Sequence, residues 1–135
     1  MTASTDRARD PVERTEAYLS AIAAENPRLN AYVLVTADLA RQQAEASRSR
    51  LAAGKALSRI DGWCIAIKDN IDVAGVRTAN GLPGGWAASA DAPVVERLKR
   101  AGAIILGKTN LHEAALGATT NNPHWGPTHN PHRHG

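Results

Sequence analysis

The chain has 135 residues, the size of one domain, and with no phenylalanine and few aromatics its core has to come from Ala, Val, Ile and Leu. A formal charge of +3 and a pI near 9.4 raise nucleic-acid binding, but the arginines are scattered and no aromatics interleave with them as a stacking platform would require. The single cysteine, Cys64, excludes an intrachain disulfide, residues 1–10 carry no secretory core, and no run is long enough to span a bilayer, so no membrane partner and a reducing, cytoplasmic setting are expected.

Residues 1–9 read as a disordered tail and residues 10–54 as a helical front. Asp10, Pro11 and Glu13 supply a cap, a first-turn proline and an early carboxylate, with Val12, Thr15, Leu19 and Ile22 following at helical spacing until Pro27 stops the helix. Residues 31–35 form a plausible strand. Thr36 can cap a second helix over 37–53 that Gly54 ends, packing Ala40, Ala44 and Leu51 and leaving Arg41, Arg48 and Arg50 wet.

From residue 60 the pattern changes to short buried strands. Trp63 to Ile67 is an apolar run without alternation, as in a strand covered on both faces, and Lys68 follows directly. A lysine there either reaches water or sits in a partly dry pocket, where burial favours the neutral amine and makes it a usable base. Residues 75–90 read as a Gly/Ala/Pro-rich loop. Asp91 then caps a helix through Arg100 with Val94, Val95, Leu98 and Ala101 packed, Gly102 closes it, and residues 103–106 form the next strand. Strand, connecting helix and strand make a crossover unit, which predicts parallel pairing and brings Lys68 and Lys108 to one carboxyl-end edge, where ligands of open α/β sheets gather. Thr109 or Asn110 caps a short helical segment at 111–116.

Three further patterns have to be weighed. Gly102, Gly107, Lys108 and Thr109 satisfy the letter of a phosphate-binding loop, which keeps nucleotide binding as a remote alternative. The four residues between the glycines are Ala-Ile-Ile-Leu, which read as the strand itself, with its N–H groups committed to the ladder. His124, His129, His132 and His134 lie among prolines with no cysteine or carboxylate framework, so no metal and no cofactor is expected. No serine has a nucleophile elbow or a histidine partner at a recognisable spacing, and Cys64 reads as an inert core thiol.

The run Ile67-Lys68-Asp69-Asn70-Ile71-Asp72-Val73-Ala74-Gly75 resembles the lysine segment of the amidase signature family. Ala101 to Asn110, then Asn121-Asn122-Pro123-His124-Trp125-Gly126-Pro127 with Asn130-Pro131, are similar to its next two blocks, in the same order. The resemblance implies the N-terminal part of an α/β fold, an α/β/α sandwich around a mixed, largely parallel sheet, with 1–135 as one segment of a single amidase domain. It also implies hydrolysis of a small-molecule amide by a Ser-Ser-Lys triad in which Lys68 is the base. Thr119 and Asn122 are candidate substrate-binding residues, although Asn-Pro and Gly-Pro steps favour turns whatever the function. The loop at 78–81 resembles a region lining the family's cleft. Where the family shows a Gly-Ile-Pro type entry, this chain has Gly62-Trp63-Cys64, which gives position 64 an N–H. The Gly- and Ser-rich stretch that carries the two serines does not follow Asn130-Pro131 here, so the expectation is a chain truncated before that stretch and inert alone. A non-catalytic binding or regulatory module derived from this fold is the other reading, and exposed sheet edges suggest self-association.

Overall fold

A computed structural model describes residues 10–132; the tail expected at 1–9 and His134 lie outside the described residues. Helix α1, Pro11–Leu29, starts as its sequence dictates: the Asp10 carboxylate accepts from the N–H groups of Val12 at 2.8 Å and Glu13 at 3.3 Å, and Pro11 fills the first turn. It does not stop at Pro27, which sits inside the last turn. The helix continues because its end is held by other bonds. Asn30 closes it in the left-handed region (φ 51°) with its N–H on the Asn26 carbonyl, and the Asn26 side chain accepts from Ala31 and Tyr32 while donating to the Tyr32 carbonyl.

Strand β1, Tyr32–Val35, leads into helix α2, Ala37–Ala52. Thr36 stands at the N-cap but its hydroxyl donates to the Ile105 carbonyl at 3.0 Å, tying the helix start to the sheet instead of capping it. Ala40 and Ala44 are fully buried as expected, whereas Leu51 is 40% exposed and Ser47 takes the third buried position.

Strand β2, Cys64–Lys68, is followed by β3, Arg77–Thr78, and β4, Trp86–Ala87, which form a small antiparallel ribbon within the stretch expected to be loop. Two-residue strands are too short to show a period in sequence. Helix α3, Pro93–Arg100, is capped by Ala92 rather than Asp91. Asp91 accepts instead from the Ala74 N–H and the Lys99 ammonium, fastening the preceding loop. Val95 is fully buried, but Val94 is half exposed. Strand β5, Ile104–Thr109, ends the main sheet. The helix expected at 111–116 is only a 3₁₀ turn, Glu113–Ala115, because Ala114 and Ala115 hold positive φ (51° and 59°).

The sheet is mixed, in the order β1-β5-β2, with β1 antiparallel and β2 parallel to the central β5. Its faces follow the strand period. Ile104 and Leu106 pack on Leu19, Ala40 and Ala44 from α1 and α2, while Ile105 packs with Ile67, Val73 and Val95 on the α3 side. Helices thus cover both faces, the expected three-layer α/β/α arrangement. β5 is buried on both faces, whereas β2, expected to be buried likewise, is an edge strand with Ala66 and Lys68 exposed. Residues 103–106, the interior of the would-be phosphate loop, lie in or directly before this central strand, and Lys108 is wholly buried within it.

Candidate active site

The parallel register pairs Ile67 with Lys108 and Lys68 with Thr109, which brings both lysines to the carboxyl-end edge of the sheet. They do not share an environment. A register shift between Ile65 and Ala66 pairs Ile65 with Ile105 and Ala66 with Gly107, so Leu106 is the extra residue of a bulge. The shift puts Lys108 in phase with Ile105 and Ile67, on the α3 side, where its ammonium meets Asp69 at 2.9 Å and donates to the Thr78 hydroxyl at 3.0 Å. Lys68, one residue on from Ile67, leaves the strand on the opposite face and is exposed. The enclosed lysine is therefore Lys108, and the dry setting considered for Lys68 is not formed by the described residues.

Lys68 lines an open, mainly polar cavity of about 460 Å³ with Asn110, Leu111, His112, Gly117, Ala118, Thr119 and Thr120. Of the residues singled out in sequence, Lys68 and Thr119 are brought together here. Asn122 is not on this lining. It is 2% exposed and saturated by the chain: its amide donates to the carbonyls of Gly81 and Leu111, and its oxygen accepts from the N–H groups of His124 and Trp125. Its task is to hold the turn behind the cavity wall, and no donor or acceptor is left for a substrate. The loop at 78–81 likewise stands behind the wall, with Thr78, Ala79 and Gly81 buried.

Sequence reasoning missed His112. Its Nδ1 lies 3.3 Å from the Thr119 hydroxyl, and its ring occupies the space that a side chain at Gly117 would need. A lone histidine in a loop carries no periodic signal, and only its spacing from Thr119 could have hinted at a pair. Asn110 is the other addition: its amide donates to the Gly126 carbonyl at 2.9 Å and ties the 122–128 turn to the end of β5. No group of three metal-ligating side chains occurs among the described residues, and His124 pairs instead with Glu113 at 3.2 Å. No described helix is long and apolar enough to cross a membrane.

A mixed sheet between helices, with a strand-end lysine opening onto a polar cavity, is the setting in which known relatives can be compared. The chain belongs to the amidase family, whose model matches residues 13–135. It is 44% identical over 122 residues to a glutamyl-tRNA(Gln) amidotransferase subunit of Thermobifida fusca, an alignment covering 89% of this chain and 24% of that protein. Among solved structures it resembles peptide amidase from Stenotrophomonas maltophilia, at 34% identity and a TM-score of 0.82, over 93% of this chain and 27% of the other. A chain from a vestigial protein complex described as revealing the origins of an s-triazine catabolic enzyme matches at 39% identity and a TM-score of 0.86, over 93% of this chain and 28% of its own length. The chain thus spans about a quarter of the length of the relatives it matches.

Proposed function

We propose that this chain supplies the base-bearing part of an enzyme that hydrolyses the C–N bond of small amides, with Lys68 as the base of a Ser-Ser-Lys triad. The observation that carries the reading is the place of Lys68, at the carboxyl end of β2 and on the lining of a polar cavity, in a chain of the amidase family. A base accelerates acyl transfer only when a nucleophile stands within hydrogen-bond reach. No serine lines that cavity among the described residues, so the chain alone does not turn over amides. In the assembled site Thr119 contacts the bound amide, and Asn122 shapes the turn without touching it. The open edges of β1 and β2 make self-association of the isolated chain the expected behaviour.

The test is a chimera in which this chain replaces the matching first quarter of peptide amidase. Lys68→Ala in that chimera lowers kcat by about 10²–10⁴-fold, the usual worth of a positioned acid or base. Unaltered turnover would reject Lys68 as the base and favour the non-catalytic module. Separately, ammonia release from aliphatic and aromatic amides by the chain alone should equal the buffer rate. Hydrolysis that Lys68→Ala abolishes would overturn the claim that it is inert by itself.

A further inference from the structure

Asp69, the residue after Lys68, is gripped on every side. Its N–H donates to the Thr109 carbonyl at 3.0 Å, its carbonyl accepts from Asn80 at 2.9 Å, and one carboxylate oxygen accepts from Ala79 at 3.1 Å while the other meets the Lys108 ammonium. Lys108 spends its remaining donors on the Thr78 hydroxyl and the Arg77 carbonyl. From this hub the bonds run on to the cavity. The Asn80 carbonyl accepts from Ala114 at 3.0 Å, and the Gly81 carbonyl accepts from the Asn122 amide at 2.8 Å. Asn122 in turn holds His124 and Trp125. A Cβ at Gly81 would come within 2.9 Å of both the Asn122 amide and the His112 carbonyl, so the seam is closed to side chains.

The seam is also strained. Asn80, Ala114 and Ala115 all hold positive φ, which non-glycine residues keep only where their surroundings over-determine them. A fully buried ion pair is a poor choice if stability were its purpose, since apolar residues of similar volume often do as well. What it supplies is direction, because an ammonium and a carboxylate fix several backbone groups in one geometry.

We infer that the Lys108–Asp69 pair, through the loop at 79–81, is the positioning device that sets the 112–125 wall against Lys68. Its bearing on catalysis rests on the Lys68 reading. The geometric claim does not.

Removing one member leaves a buried charge unpaired, so the informative variant removes both: Asp69→Leu with Lys108→Met. Amide hydrogen exchange is followed at Ala114, His124 and Trp125, beyond the pair, and at Thr36, whose N–H bonds to Leu106 away from the seam. In a double variant that still melts cooperatively, exchange at the first three quickens about tenfold or more relative to Thr36. Unchanged exchange at those amides overturns the inference, because a pair that only filled space would leave the wall where it is. If the double variant does not fold, Asp69→Asn decides: it ends the ion pair with Lys108 while keeping the shape of the side chain and an oxygen for the Ala79 N–H. Faster exchange at Ala114 with Thr36 unchanged supports the inference, and no change at Ala114 rejects it. Lys68→Met should leave all of these rates alone, so a failure of the base in the chimera and a failure of the positioning pair are read separately.

Discussion

Asp61 closes the loop between α2 and β2 and shows how much one carboxylate can organise. It accepts from the Ser47 hydroxyl at 2.7 Å, from both forks of Arg50 at 2.8 and 3.0 Å, and from the Leu57 N–H at 2.9 Å. Gly102, in the left-handed region at φ 90°, is glycine because a side chain there would strike Asp61. Burial pushes the Asp61 carboxyl up, but hydrogen bonds from Arg50, Leu57 and Ser47 and the guanidinium charge outweigh it, and the net shift is downward from 3.8. A depressed folded-state pKa means that this stabilisation is present in full above the ordinary carboxylate value and is lost as pH falls below it. Asp61→Asn should therefore cost about 2–4 kcal/mol in urea unfolding at pH 7 and flatten the decline in stability below about pH 4. Nothing in the sequence marks Asp61, because a loop carboxylate has no period to betray its partners. The placement of Lys68 at a strand end was legible from the apolar run before it. Its exposure was not, since the apolar run reads as a strand covered on both faces, whereas β2 is an edge strand whose Ala66 and Lys68 face lies uncovered.

At the level of elements, Gly107 is where the central strand changes phase. A Cβ there would collide with the Leu34 carbonyl oxygen of β1, so β1 and β5 can approach only over a glycine. Gly107→Val is expected to cost about 3–5 kcal/mol or to prevent folding, measured by the urea midpoint, because β1 cannot pair with β5 without that approach. The starts of α1 and α2 and the apolar strands were readable from caps and runs. Faces were read less well: Leu51 and Val94 fit a helical stripe, yet each is exposed because no layer lies opposite it in the described chain. Asp91 and Asn110 looked like caps by residue type. Asp91 accepts from Ala74 and from Lys99 in the last turn of α3, and Asn110 accepts from the Leu111 N–H while its amide donates to the distant Gly126 carbonyl, partners that residue type alone does not name.

Across the whole molecule, the sheet has one strand covered on both sides and two with an unpaired edge among the described residues. Such edges template pairing with a second chain. Sedimentation velocity should show association that rises with concentration, and Ala66→Lys, which sets a charge on the exposed face of β2, should reduce it; a strict monomer over the same range would contradict the expectation. The parallel β2–β5 pair was legible because strand, helix and strand follow one another along the chain, and the α/β/α layering came from the resemblance, whereas the β3–β4 ribbon and the strained turn at 114–115 were not legible, being stabilised by distant bonds rather than by local preference.

Of the three strands described in the main sheet, the middle one is the last to be made. Among the described residues β1 and β2 do not pair with one another and each pairs with β5 alone, so neither enters this ladder until Ile104–Thr109 has left the ribosome. A nascent chain arrested before that point should hold helix and no more sheet than the short β3–β4 ribbon, and closure of the three layers would arrive as a single late event.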